Sequence, residues 1–130
     1  MTTLTIPLPW PKPPLTGNRT RGNPYARANE VKTAKQQAIV AIRATRPPQL
    51  HGASVTLALR LPDRRRRDAD GLAPTLKVCL DALVAERVLP DDSWTYVPSV
   101  TCRIHPPMTD QPAEMWLELS EIQEIQEIHP

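Results

Sequence analysis

Phenylalanine is absent from these 130 residues, and aromatic side chains make up only 4% of them. Aliphatic side chains and three tryptophans must therefore fill any core. Cysteine is also scarce. Cys79 and Cys102 stand alone, without a CxxC partner or a Cys/His zinc spacing, and read as small buried thiols. There are only four glycines, and no Gly-rich phosphate loop. Serine- or cysteine-nucleophile motifs are likewise missing, and His51, His105 and His129 lack the spacing of a ligand set. No apolar run approaches the roughly 20 residues of a membrane span. The chain does not open on a basic stretch followed by an apolar segment, so a reduced, cytoplasmic protein is expected.

Proline is abundant, at 16. Most prolines lie near the ends or between apolar runs, a pattern of short elements joined by stiff loops. At this length one domain is expected, with residues 1–119 as the folded unit and 120–130 as a tail. The net charge of +2 conceals a division. Residues 1–67 carry 13 Lys/Arg against two acids, and residues 68–130 carry three Lys/Arg against 12 acids. Such asymmetry points to a basic surface for a polyanion; mutual neutralisation of the two halves in the fold is the simpler alternative.

Leu4, Ile6 and Leu8 alternate, predicting a first strand that stops at Pro9-Trp10-Pro11. Residues 11–27 read as a loop carrying Arg19, Arg21 and Arg27. From Asn29, taken as a cap, Val31, Ala34, Ala38, Ala41 and Ile42 recur at helical spacing, with Lys32, Lys35 and Arg43 opposite, until Pro47-Pro48. Val55, Leu57, Leu59 and Leu61 alternate as the clearest strand. Pro74 suits the first turn of a second helix with the stripe Leu76, Cys79, Leu80 and Leu83. Val100, Cys102 and Ile104, then Met115, Leu117 and Leu119, predict two further strands. The order is that of an α+β protein: a small mixed or antiparallel sheet of about four strands with two helices on one face. The Glu-Ile-Gln repeat of residues 121–129 reads equally as a short helix for a partner subunit or as a frayed tail.

The most distinctive segment is Asp63-Arg64-Arg65-Arg66-Arg67-Asp68-Ala69-Asp70. Arginines hold phosphates, whereas unpaired carboxylates repel them unless a divalent cation intervenes. In an extended segment Asp68 and Asp70 face the same side. Asp91 and Asp92 follow the second helix, and a strand-helix-loop unit is expected to return them beside the first pair. Three such carboxylates suit Mg²⁺, which takes hard oxygen ligands, polarises a phosphate and lowers the pKa of a bound water. Lys77 would aim a cation at the scissile phosphate or leaving oxygen. Each part also has an ordinary explanation. Asp70 can cap the helix, Asp91-Asp92 can be a turn, the arginines can be a solvated hairpin tip, and Lys77 can pair with Asp81 at i, i+4.

The run from Asp63 to Asp70, then Leu80-Asp81-Ala82-Leu83, then Leu89-Pro90-Asp91-Asp92, resembles the RusA family of Holliday junction resolvases. The opening Leu8-Pro9-Trp10-Pro11, with Asn18 downstream, is similar to that family's N-terminal segment, and the likeness covers roughly residues 4–119. It implies a RusA-like fold and a homodimer acting on four-way DNA junctions in the cytoplasm of a bacterial host, often encoded by a phage. The implied activity is an endodeoxyribonuclease that makes paired symmetric nicks with Mg²⁺, Mn²⁺ being able to substitute. The family's three catalytic, metal-binding aspartates fall on Asp68, Asp70 and Asp92, and its lysine on Lys77. Arg60, Arg64, Arg65, Arg66 and Arg67, with Arg19, Arg21 and Arg27, would then contact backbone phosphates. Two departures stand out. Gly71 replaces the family's asparagine after the second aspartate, and three extra residues lie around Ala73-Pro74-Thr75. They leave room for a second reading, a junction-binding module of the same fold that does not cut. A third is an interaction factor working through the Glu-Ile-Gln tail.

Overall fold

The computed structural model describes residues 2–15 and 24–123. Its elements are β1 (Thr3–Pro7), α1 (Pro24–Thr45), β2 (Ala53–Arg60), a 3-10 turn (Ala69–Leu72) leading into α2 (Ala73–Ala85), β3 (Val100–His105) and β4 (Glu114–Glu121). The four strands form one mixed sheet in the order β1-β4-β2-β3. β4 lies antiparallel to both β1 and β2, while β2 and β3 are parallel. The architecture is α+β, with the two helices packed together.

Strand periodicity builds the core. Val55, Leu57 and Leu59 of β2 oppose Leu119, Leu117 and Met115 of β4, and Ile6 of β1 opposes Leu117. All seven are buried, and they share one cluster with Ala34, Ala38 and Ile42 of α1 and Leu76, Cys79 and Leu83 of α2. Buried Ala34 and Ala38 present a face of small side chains where α1 packs on α2. Burial pushes the Cys79 thiol up to about 12, so it stays a protonated, inert packing group.

α1 starts at Pro24, five residues before the expected cap at Asn29. A proline is well placed in a helix's first turn, where its missing N–H is not needed. Val31, predicted on the buried stripe, is partly exposed. α1 stops at Thr45, with Arg46 in the left-handed region (φ 49°) and Pro47-Pro48 beyond. α2 ends in a Schellman cap. Arg87 (φ 61°) donates to the Val84 carbonyl at 3.0 Å, and Val88 donates to that of Leu83 at 3.0 Å.

Two parallel neighbouring strands need a crossover that carries the chain back to the starting end of the sheet. The segment from the 3-10 turn through α2 is that crossover. It leaves the carboxyl end of β2, and after α2 the chain docks at the amino end: Leu50 donates to Val88 (2.8 Å) and Ala53 donates to Tyr96 (2.8 Å). Gly52 sits under this docking loop, where a Cβ would stand 2.5 Å from the Tyr96 carbonyl oxygen. β4 runs on through Glu121 into the tail, and Ile122 donates to the Gly52 carbonyl at 3.0 Å. Residues 124–130 of the repeat lie outside the described residues. Among the described residues no helix is long and apolar enough to cross a membrane.

Candidate active site

Past Arg60 the chain leaves the sheet with one more pairing, Leu61 N–H to the His105 carbonyl at 3.0 Å. Asp63 then organises the arginine run. Its carboxylate accepts from the Arg65 backbone N–H at 2.9 Å and from Arg67 Nη1 at 2.8 Å, and Arg65 Nη2 lies 3.2 Å away. Arg67 also donates to the Arg65 carbonyl at 2.9 Å. This is an Asx turn closed by side chains. The Arg67 guanidinium, and then the Arg65 contacts, hold the Asp63 carboxyl well below the usual carboxylate range. Arg64 makes no ion pair among the described residues, and Arg66 is almost fully exposed, 3.7 Å from Asp68.

Asp68 is extended (φ −102°, ψ 135°), and Asp70 lies in the first turn of the 3-10 segment. Neither carboxylate caps a helix. Asp68 makes no side-chain cap bond, and the N-cap of α2 is Leu72. The local backbone bond is instead Gly71 N–H to the Asp68 carbonyl, at 3.1 Å. Both carboxylates stay exposed and line an open cleft of about 710 Å³ with Lys12, Arg65, Arg66 and Arg67, backed by buried Leu59 and Leu72. The cleft opens at the carboxyl ends of the parallel pair β2/β3, where a mixed sheet leaves room for a ligand. A Cβ on Gly71 would meet nothing within 4 Å, so this cleft residue is not required by packing.

Asp92 lies elsewhere. Its Oδ2 is 3.2 Å from Lys77 Nζ, which also donates to Asp81 Oδ1 at 3.0 Å. Asp81 and then Asp92 raise the Lys77 pKa. Asp92 and Asp81 border a smaller hollow of about 330 Å³ with Lys35. The expected gathering of Asp68, Asp70 and Asp92 is not present in this arrangement. Among the described residues no three His, Cys, Asp or Glu side chains are grouped to hold a metal ion. Asp92 is reached only after the whole of α2, and its carboxylate is taken up by Lys77 rather than directed to the first pair. Asp91 is a turn residue. The Ser93 hydroxyl and neighbouring backbone N–H groups hold its carboxyl below the ordinary range.

The basic residues divide into three groups. Arg65, Arg66 and Arg67 line the cleft. Arg60 turns to the other side of the sheet, where its side chain is only 16% exposed. There Nη1 meets Glu114 at 3.1 Å and the guanidinium lies 5.1 Å from the centre of the Trp116 ring, which stacks on His105. Arg19 and Arg21 lie outside the described residues, and Arg27 pairs with Glu30 at 3.6 Å. Part of the charge asymmetry is neutralised within the fold, through Arg43–Glu86 and Arg60–Glu114. Lys12, which no sequence motif marks, joins the cleft. Its signal was a cation held between Pro11 and Pro13. Asp63, to which the sequence pattern assigns no role, is the anchor of the run.

No protein-family model matches the chain, and no curated protein matches it.

Proposed function

We propose that this protein is a structure-selective endodeoxyribonuclease that resolves four-way DNA junctions by Mg²⁺-dependent phosphodiester hydrolysis, acting as a homodimer with a RusA-like fold. One observation supports this reading above the rest. Three consecutive arginines and Lys12 share a cleft with two exposed carboxylates that no helix cap or strong ion pair occupies. A purely phosphate-binding surface would gain nothing from Asp68 and Asp70, which repel the ligand. They suit a hard divalent ion, which commonly takes one or two carboxylates, substrate phosphate and water. The motif resemblance points the same way.

In this proposal Asp68 and Asp70 hold the ion, and Arg64, Arg65, Arg66 and Arg67 with Lys12 grip the flanking phosphates. The chemistry that such an ion would supply there is polarisation of the phosphate and a more acidic water. Asp92 contributes through Lys77: with Asp81 it fixes the ammonium, which offsets charge developing on the leaving oxygen. A two-fold dimer would present two such clefts to a pseudo-two-fold junction and cut it symmetrically.

The test is incubation of a labelled mobile four-way junction, with linear duplex as control, in Mg²⁺ and in EDTA. Paired nicks in the junction alone, dependent on Mg²⁺, are expected. Asp70→Asn should lower cutting at least about a hundredfold without weakening junction binding, because a repulsive charge is removed. Wild-type cutting by that variant overturns the assignment. A second reading is favoured by the separation of Asp92 from Asp68 and Asp70: a junction-binding module that does not cut. Tight junction binding with no nicks in Mg²⁺ or Mn²⁺ would establish it.

A further inference from the structure

The three tryptophans are held differently. Trp10 is buried, and its indole N–H donates to Gln37 Oε1 at 2.8 Å. Trp116 is part-buried between Arg60 and His105, and its N–H donates to Glu118 Oε2 at 2.8 Å. Trp94 is 54% exposed, and its indole N–H has no partner among the described residues. Tryptophan is the side chain with most to lose from such exposure, since it combines a large apolar face with a donor that usually finds an acceptor.

Loose structure does not account for this exposure. Trp94 projects from a closed turn in which the N–H groups of Tyr96 (3.0 Å) and Val97 (2.8 Å) both reach the Ser93 carbonyl, while the Ser93 and Thr95 hydroxyls meet at 3.1 Å. The turn is fastened to the sheet by Ala53 N–H to the Tyr96 carbonyl at 2.8 Å and by the buried Val97. Trp94 follows Asp92 by two residues, about 7 Å of chain at most, and Asp92 holds Lys77 at 3.2 Å. The turn that carries Trp94 therefore adjoins the Lys77–Asp92 pair of the proposed site.

We infer that Trp94 is a base-stacking contact that recognises an unstacked nucleobase at a DNA branch point. The occupant follows from the surroundings. Asp91 and Asp92 precede Trp94 and Ser93 and Thr95 flank it, so neither a phosphate nor an apolar protein patch is matched there. A nucleobase is flat and uncharged and fits the bare face of the ring, while the free N–H, which lies in the ring plane, is left for an acceptor on the neighbouring nucleotide. Bases within an intact duplex have no open face, whereas those at a point of strand exchange do. Trp94 would thus add branch selectivity, which arginine–phosphate contacts cannot supply. The inference rests on the proposed function only in taking branched DNA as the ligand.

The test is binding in EDTA, without cutting, to a four-way junction and to linear duplex, using the full chain and the variants Trp94→Leu and Trp94→Phe. Trp94→Leu should weaken junction binding roughly ten- to hundredfold and leave duplex binding unchanged. Trp94→Phe, which keeps a stacking face, should remain within a few-fold of wild type. Junction binding should quench a tryptophan emission component that is missing from Trp94→Phe. Equal junction affinity of wild type and Trp94→Leu overturns the inference. So does a parallel loss on duplex, or a change of oligomeric state in Trp94→Leu on sedimentation, which would make the ring a contact between copies. A wild-type chain that binds junctions through Trp94 but makes no nicks sinks the nuclease reading and leaves this one standing.

Discussion

Asp63 and Lys77 show how single charges set up the two halves of the site, with opposite dependence on pH. The Asp63 carboxyl is depressed by Arg67 first and Arg65 next. Its clamp on the arginine run is therefore complete above the ordinary aspartate value, about 3.9, and weakens as pH falls below it. In a carboxyl carbon-13 titration Asp63 should have a midpoint below that of an ordinary aspartate, and Arg67→Ala should move it upward. A midpoint that ignores Arg67→Ala would disconnect the pair. Lys77 has the reverse sign. Asp81 and Asp92 raise its pKa, so its ion pairs are intact below the ordinary lysine value, about 10.4, and are lost as pH rises through the raised one. The Lys77 side chain is 65% exposed, so solvent screens most of that interaction. Lys77→Ala should change stability by less than about 1 kcal/mol, read by denaturant unfolding, yet slow junction cutting at least about tenfold. A large loss of stability instead would make Lys77 a structural residue.

At the scale of elements, α2 carries the fold and the site on opposite faces. Leu76, Cys79 and Leu83 are buried, while Lys77 and Asp81 look outward. Leu83→Ala should cost about 2–5 kcal/mol in denaturant unfolding, because Leu83 lies wholly within the shared core. The docking of the 93–97 turn onto the start of β2 is equally specific. Gly52→Ala places a methyl 2.5 Å from the Tyr96 carbonyl, a backbone group already accepting from Ala53. It should destabilise by about 1–3 kcal/mol, with amide exchange rising first at Ala53. Unchanged stability would mean that the turn can move freely. The strands and the stripe of α2 were legible from periodicity, since half-buried strands alternate and a packed helix repeats every three to four residues. The start of α1 was not. Pro24 and the residues after it offer no apolar stripe, and its first turns are set by backbone geometry rather than by burial.

For the whole molecule, the charge asymmetry is partly internal and partly functional. Arg43 and Arg60 are matched by Glu86 and Glu114, whereas Arg64 and Arg66 remain open to solvent. Junction binding should therefore weaken linearly on a log–log plot against salt. Arg66→Ala should reduce the slope by about 1, whereas Arg43→Ala should leave it unchanged. Equal slopes for wild type and Arg66→Ala would remove the run from the DNA surface. The sequence alone determined which strands and helices form, and that Asp68 and Asp70 adjoin a block of cations, because those are consequences of spacing over a few residues. Only the tertiary structure decided that Asp92 meets Lys77 rather than the other two carboxylates, that Glu114 and Trp116 engage Arg60, and that Lys12 enters the cleft. Each of these is a contact between residues distant in sequence, and such contacts leave no local pattern from which to read them.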